Sequence, residues 1–493
     1  MLEHKDTTAL INASTGATMT YGQIVHQAIR VACWLKKNGV TKGSIIGVCS
    51  EKRFEVIPAI LGTMCLGATA TCINMGADRF KQRFLISKPQ IMFFSPSALN
   101  TYGGFLEELG STARIVIFGE PPFDFHHDHQ LDDQALNMFD PVSVSGWEDI
   151  AFIFYSTGTT GPSKGVPVTH LSLMLNIIDM ATCDYEGKSI LNIREWYFTY
   201  GIQHTLASLR AGAVLVYTEE QPDADYLEII QKYKISIIQG TPYDAGELVK
   251  SSTLHKFDLS SVEHMVCAST PMDGELVKAV KRSFPNLQNV IQMYGLSETG
   301  IVCNERHCKL GFKPGSVGIV SPTYIVKVVD VDSRKALGPN QCGEICFKSA
   351  ALFPGYLCTT ESPPKYLDDE GFFKSGDVGY YDEDRYFYIV DRIKDLIKCD
   401  SVTIAPAEVE AVLLQHPSVR DVGVVGVNHQ KFGEVATAFV VLQPDSSATA
   451  EDIEAFVKAK APSFMRLRGG VKFLPALPRA QGKLSRRSLI SML

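Results

Sequence analysis

The run Ser156-Thr157-Gly158-Thr159-Thr160-Gly161-Pro162-Ser163-Lys164-Gly165 constrains this chain more than any other part of it. It follows the apolar run Ala151-Phe152-Ile153-Phe154-Tyr155, which reads as a buried strand. Glycines let a backbone come close to an anion, hydroxyls and amides donate to phosphate oxygens, and Lys164 adds a movable positive charge. No Gly-Lys-Ser/Thr closes the loop, so it is not a Walker loop. A flexible Ser/Gly surface loop is the bland alternative. The strand leading into the loop and the order of its residues favour a phosphate cradle.

Around this loop the first half of the chain alternates strand and helix patterns. Ser44–Cys49, Ala68–Ile73, Gln90–Phe94 and Arg114–Phe118 are strand-like, while Val56, Ile57, Ile60, Leu61 and Met64 recur at helical spacing. Ala213–Tyr217 and Ile235–Gln239 read as strands flanking a helical Tyr226–Tyr233 region. Such alternation predicts an α/β fold of parallel sheets covered by helices. Tyr324–Asp330 and Cys342–Lys348 suggest a small β-barrel. After Arg392 the pattern changes to a compact α+β unit, opened by the charged, hinge-like segment Asp391-Arg392-Ile393-Lys394-Asp395. The polar stretch from Phe123 to Ser145 reads as a loop.

With 493 residues the chain is too long for one core. We expect an N-terminal core over 1–390, a hinge at 391–394 and a C-terminal lid over 395–493. A formal net charge of −7 makes no electrostatic case for nucleic acid or an anionic membrane. No apolar run is long enough to span a bilayer, and the N-terminus lacks a signal-peptide core. The 12 cysteines lack a framework spacing and read as reduced, mostly buried thiols. The ending Ser491-Met492-Leu493 departs from peroxisomal Ser-Lys-Leu at its basic position. A cytosolic location is therefore expected, with peroxisomal import as the minority reading.

Further motifs follow in order: Gln292-Met293-Tyr294-Gly295-Leu296-Ser297-Glu298-Thr299, Gly343-Glu344-Ile345-Cys346, Pro354-Gly355-Tyr356, Phe372-Phe373-Lys374-Ser375-Gly376-Asp377, Ile389-Val390-Asp391-Arg392-Ile393-Lys394-Asp395 and Pro478-Arg479-Ala480-Gln481-Gly482-Lys483. Together with the phosphate loop they resemble the acyl-adenylate-forming superfamily, nearest its luciferase, coumarate–CoA ligase and acyl-CoA synthetase branch. The resemblance implies ATP, Mg2+ and CoA as cofactors, and a mobile C-terminal domain. It implies that Ser156, Thr157, Gly158, Thr159, Thr160 and Lys164 hold phosphates, and that Tyr294 and Gly295 flank adenine. Glu298 would bind magnesium as a hard oxygen donor, and Thr299 would donate to the α-phosphate. Asp377 and Arg392 would hold the ribose. Lys483 would bridge the incoming carboxylate and the α-phosphate, Lys394 would be the hinge pivot, and Lys398 would serve the second half-reaction.

Two stretches depart from the family pattern. Relatives commonly carry Lys-Gly-Tyr-Gln after the position of Lys398; here Asp400-Ser401-Val402-Thr403 stands there. Ser401 replaces a glycine and Thr403 a glutamine, which puts the CoA step in question more than adenylation. The acyl-pocket block reads Glu195-Trp196-Tyr197-Phe198-Thr199-Tyr200-Gly201, with Phe198 or Tyr197 at the family's histidine position, depending on the alignment. Opposite it, Gly-Gly-Ala-Pro becomes Ala268-Ser269-Thr270-Pro271. With Trp196, Phe198, Tyr200, Ala268, Ser269, Met293 and Val302 as lining, the added bulk predicts a small-to-medium or aromatic acid. His126-His127-Asp128-His129 is weighed as a metal cluster and set aside, because adjacent loop positions seldom converge on one ion. Cys303 and Cys308 lie near the nucleotide block with nothing to lower a thiol pKa.

The expected activity is ATP-dependent formation of an acyl-adenylate with release of pyrophosphate, then transfer to CoA. The alternatives are an adenylating enzyme with another acceptor or luciferase-like oxidation, and a nucleotide-binding protein with degraded catalysis. The partners are the small-molecule acid, ATP and CoA; the sequence leaves the acid and the oligomeric state open.

Overall fold

The computed structural model describes residues 2–73, 76–120, 139–156, 163–180, 185–219, 225–272, 274–305, 311–357, 366–399, 402–444, 446–480 and 483–493. The chain forms two compact units: Met1–Tyr324 with Ser349–Lys365, and Ile325–Lys348 with Tyr366–Leu493.

The first unit holds two large sheets. Strands alternating with helices pair in parallel, because a helical crossover returns the chain in the same direction. Ile45–Cys49 lies between Thr69–Cys72 and Ile91–Phe94, parallel to both, and Arg114–Ile117 extends one side. Ile150–Ser156 joins the other side in parallel, and Lys164–Thr169 returns antiparallel to it as the sheet's sixth strand. Ser156 and Lys164 face each other in that register, at the two ends of the stretch expected to hold phosphates. The second sheet has nine strands. Its parallel centre runs through Asn289–Leu296, His264–Cys267, Ile237–Gly240, Ser189–Asn192, Val214–Tyr217 and Thr8–Asn12. These central strands are buried on both faces, which explains their unbroken apolar sequence.

Towards one edge of the nine-stranded sheet lies the hairpin of Asn289–Leu296 with Gly300–Asn304, with Ile319–Val320 as the outermost strand. Two glycines are required there. A Cβ on Gly295 would lie 1.8 Å from the Gly300 carbonyl oxygen. Gly300 adopts φ +71°, and a Cβ there would fall 2.0 Å from Asn176 Oδ1. Asn176, on the helix His170–Met180, fills that space: its Oδ1 accepts from the Ile301 N–H at 3.0 Å, and its Nδ2 donates to Ser172 O at 2.9 Å and Thr299 O at 3.4 Å. The same hairpin is braced by Glu305, whose buried carboxyl accepts from the Gln292 N–H at 3.0 Å. Burial pushes the Glu305 carboxyl up to about 8.

The second unit carries the stretch expected as a small β-barrel. It is a four-stranded sheet whose strands Gly343–Ser349, Phe373–Tyr381 and Phe387–Arg392 pair antiparallel, with Tyr324–Val329 beside the first. The α+β part of the same unit has Val402–Ile404, Ile397–Cys399, Gly433–Leu442, Val419–His429 and Val471–Phe473 in one sheet. The helices Pro406–Leu413 and Ala450–Lys460 bury Val409, Leu413, Ile453 and Val457 against it. Among the described residues all nine cysteines are free, six of them buried, in line with reduced thiols. No described helix is long and apolar enough to cross a membrane. The His126–His129 cluster and Cys308 lie outside the described residues.

Two outcomes are expected. Gly300→Ala should cost about 3 kcal/mol of stability, through the Asn176 clash and a side chain at positive φ; a melting curve of the full chain measures it. Glu305 has a native pKa above its unfolded value, so its contribution is full below about pH 4.5 and is lost as pH rises through about 8. Glu305→Gln should therefore flatten the fall in melting temperature across that window.

Candidate active site

In the first unit the two charged residues expected at the nucleotide meet on one aromatic ring. Lys164 Nζ sits 4.5 Å from the centroid of Tyr356, and the Tyr356 hydroxyl donates to Glu298 Oε1 at 2.8 Å. Phe353 holds this ring edge-on at 4.8 Å, and its N–H donates to the Glu298 carbonyl at 3.0 Å. Tyr356 belongs to the Pro354-Gly355-Tyr356 motif, and its neighbours in the sequence do not reveal that it links positions so distant in the chain. Thr157, Gly158, Thr159 and Thr160 lie outside the described residues.

Thr299 is buried, and its hydroxyl works within the turn. It donates to Gly300 O at 2.9 Å and accepts from the Leu296 N–H at 3.0 Å. The side chain thereby fixes the approach of Glu298. The buried Tyr324 hydroxyl also donates to the Thr299 carbonyl. Tyr294, Met293 and Val302 are buried in the same hairpin, with Tyr294 opposite Cys303 and Met293 opposite Asn304. A carboxylate such as Glu298, buried and with Oε1 on a neutral hydroxyl, suits Mg2+, which takes one or two protein carboxylates and completes its shell with water and phosphate. Among the described residues no cluster of three or more His, Cys, Asp or Glu competes for such an ion.

The block expected to line the acid pocket reaches this hairpin through a hydrogen bond between Thr199 Oγ1 and Ser297 Oγ at 3.1 Å. Tyr200 donates to Val266 O at 3.0 Å, on the strand that ends beside Ala268. Phe198 packs edge-on against Tyr197 at 4.4 Å. Trp196 turns elsewhere: its ring lies 5.0 Å from Tyr217. Ala268 is buried, whereas Ser269 is exposed and holds φ +86°, a conformation natural to the glycine it replaces.

Polar groups that sequence reading missed surround this block. His204, one turn beyond Tyr200 and edge-on to it at 4.3 Å, is fully buried, with neither ring nitrogen hydrogen-bonded among the described residues. Burial pushes its pKa down to about 3, so it is a neutral imidazole. Lys52 is buried with Nζ 3.5 Å from Ile193 O; burial lowers its pKa and the nearby Glu195 opposes that shift. Arg194 pairs with Asp244. The only sequence signal was a charged pair, Arg194-Glu195, in a block otherwise aromatic.

In the second unit Asp377 and Arg392 are direct cross-strand partners, and Arg392 Nε donates to Asp377 Oδ1 at 2.5 Å. Gly376, at φ +71°, makes the bend that buries Asp377, and its N–H donates to Glu344 at 3.0 Å. Lys394 is in the turn Ile393–Asp395 just beyond; burial, then the charge of Arg392, lowers its pKa. Lys398 is exposed, directly opposite Thr403, and Ser401 lies outside the described residues. Lys483 is exposed on the short strand Lys483–Leu484, opposite Ala480. Arg486 then anchors the segment that follows, pairing with Glu410 and, at 3.8 Å, with Asp391.

Comparison with known proteins agrees with these motifs. The profile of the AMP-binding enzyme family matches residues 2–357, and that of the AMP-binding enzyme C-terminal domain matches residues 408–483. A luciferin 4-monooxygenase of Nipponoluciola cruciata is 33% identical over 506 residues, covering 98% of this chain and 91% of the relative. The 4-coumarate–CoA ligase 1 of Petroselinum crispum is 32% identical over 502 residues, with the same coverage. In fold, the chain is similar to ATP-bound MatB from Rhodopseudomonas palustris, with a TM-score of 0.87 at 22% identity and coverage of 100% and 96%. From the phosphate loop to the C-terminal lysine, the chain therefore belongs to the AMP-binding enzyme family, in its luciferase and coumarate–CoA ligase branch.

Proposed function

We propose that this protein is an acid–CoA ligase that forms AMP, acting on a small-to-medium or aromatic carboxylic acid with ATP, Mg2+ and CoA. The observation that carries the adenylation step is the grouping of Lys164 and Glu298 on Tyr356, beside the turn fixed by Thr299. A carboxylate oxygen attacks the α-phosphorus of ATP; a new O–P bond forms and the bond to pyrophosphate breaks. Two anions meet in this step, so cations and oriented donors lower the barrier.

On this reading Lys164 and the loop Ser156–Thr160 take phosphate oxygens, and Tyr294 and Gly295 flank the base. Asp377 accepts from the ribose hydroxyls, and Arg392 holds that carboxylate in place. Glu298 would hold the magnesium ion, which supplies charge neutralisation on the phosphates. Lys483 neutralises the meeting oxyanions. The domain boundary is proposed at residues 391–394 with Lys394 as pivot, so that Lys398 serves thioester formation.

A second reading, transfer to an acceptor other than CoA, is favoured by one feature. Thr403 stands opposite Lys398, and Ser401 replaces a glycine in the connection between their strands. The added side chain there would narrow the approach of a pantetheine arm.

Incubation with ATP, magnesium and a pooled panel of acids, with and without CoA, should give acyl-CoA and AMP by mass spectrometry. Acyl-adenylate without thioester would select the second reading, and the absence of both products across the panel would count against an adenylating enzyme. Lys483→Ala should lower the rate of pyrophosphate release about 100-fold or more; full activity would remove Lys483 from the mechanism. Ser401→Gly should raise thioester formation while leaving adenylation unchanged.

A further inference from the structure

Arg83 is a buried cation that the mechanism above leaves unused. It lies on the helix Ala77–Ser87, is 1% exposed, and among the described residues has no hydrogen-bond partner at Nε or Nη1. Its guanidinium carbon sits 5.0 Å from the ring centroid of Tyr155. The charged and titratable groups acting on it are Tyr155, Arg79 and Tyr197; no carboxylate among the described residues is one of them. Lys52 and Arg194, by contrast, have Glu195 and Asp244 as counter-charges. A buried guanidinium keeps its proton, since even the lowered pKa of Arg83, about 10, is above neutrality. The fold therefore holds a desolvated charge whose stacking on one ring recovers only part of the loss of water.

The position of this charge points to its use. Tyr155 immediately precedes Ser156, the first residue of the phosphate loop, and Tyr197 belongs to the acid-pocket block. Arg83 is thus at the junction of the segments proposed to take the two reactants, both of them oxyanions. Tyr155 is itself pinned, its hydroxyl accepting from Thr71 at 3.0 Å and donating to the Arg83 carbonyl at 3.4 Å. The helix and the strand end are therefore held together, and the guanidinium has a fixed platform.

We propose that Arg83 is the cationic wall of an oxyanion subsite, filled either by a second carboxylate on the acid substrate or by a phosphate oxygen of the nucleotide. The two sources share one chemistry, a planar or tetrahedral oxyanion taking the free Nε–H and Nη1–H donors. This rests on the adenylating function proposed above, but its test is a binding measurement and does not require turnover.

The experiment uses the full chain and its Arg83→Met and Arg83→Lys variants. Calorimetry and thermal shift are run with inorganic pyrophosphate, with the dicarboxylates adipate and terephthalate, and with the monocarboxylates hexanoate and benzoate. Without ligand, Arg83→Met should melt no lower than wild type, because an unpaired buried charge has been removed. Either pyrophosphate or the dicarboxylates should bind wild type and lose about ten-fold or more in affinity in Arg83→Met, with part retained in Arg83→Lys. Loss confined to dicarboxylates names the acid as the source, and loss confined to pyrophosphate names the nucleotide. Failure of every probe to bind wild type, or equal binding by wild type and both variants, overturns the proposal. If Arg83→Met does not fold, the same comparison in Arg83→Lys and Arg83→Gln decides it. Absence of adenylation in the product assay, with Arg83-dependent binding intact, would sink the proposed function and leave the subsite standing.

Discussion

The first unit depends on the close approach between Asn176 and the backbone of Gly300. The helix His170–Met180 follows directly on the strand Lys164–Thr169, and Gly300 opens the return strand of the hairpin that Asn289–Leu296 begins. One amide side chain, hydrogen-bonded to both sides of that turn, locks the two motifs together across a separation of 125 residues. Amide bonds of this kind contribute about 1 kcal/mol each, but a buried donor left unpaired costs more. The arrangement is therefore specific as well as stable: any side chain at Gly300 displaces Asn176 and leaves Ile301 N–H without its acceptor.

The second unit follows the same logic on a smaller scale. Gly376 bends the strand so that Asp377 is buried, and Arg392 across the ladder meets its carboxylate. A buried carboxylate beside a partly exposed guanidinium keeps its charge without the full cost of removing both ions from water. Asp391, the next residue back, accepts from the Ala407 N–H at 3.0 Å and faces Arg486. The end of this strand is thus tied to the start of the helix Pro406–Leu413 and to the segment just after Lys483.

Much of this architecture was legible in the sequence. Apolar runs bounded by turn residues located the strands Ile45–Cys49, Ile91–Phe94 and Ile150–Ser156 to within a residue or two, because strands buried on both faces have to be continuously apolar. Glu298, Asp377 and Arg392 were legible as motifs. What escaped reading were contacts set by the third dimension: Tyr356 beneath Lys164, Asn176 beneath Gly300, Arg83 behind Tyr155, and the buried His204. The first three pair residues whose sequence neighbourhoods carry no period or spacing in common. Ser269 was visible as a departure, but its left-handed backbone was not, since a serine gives no local sign of having inherited a glycine's conformation.

The ring of Tyr356 also acts as an insulator. Lys164 and Glu298 are opposite charges close enough to share one aromatic residue, and in its absence they would be free to neutralise each other. With the phenol between them, the ammonium rests on a π face and the carboxylate on a neutral hydroxyl. On the function proposed above, a triphosphate and its cation would then have no salt bridge between these two residues to break. One phenol thus serves as a spacer, presenting a different surface to each of two side chains that are 134 positions apart in the sequence.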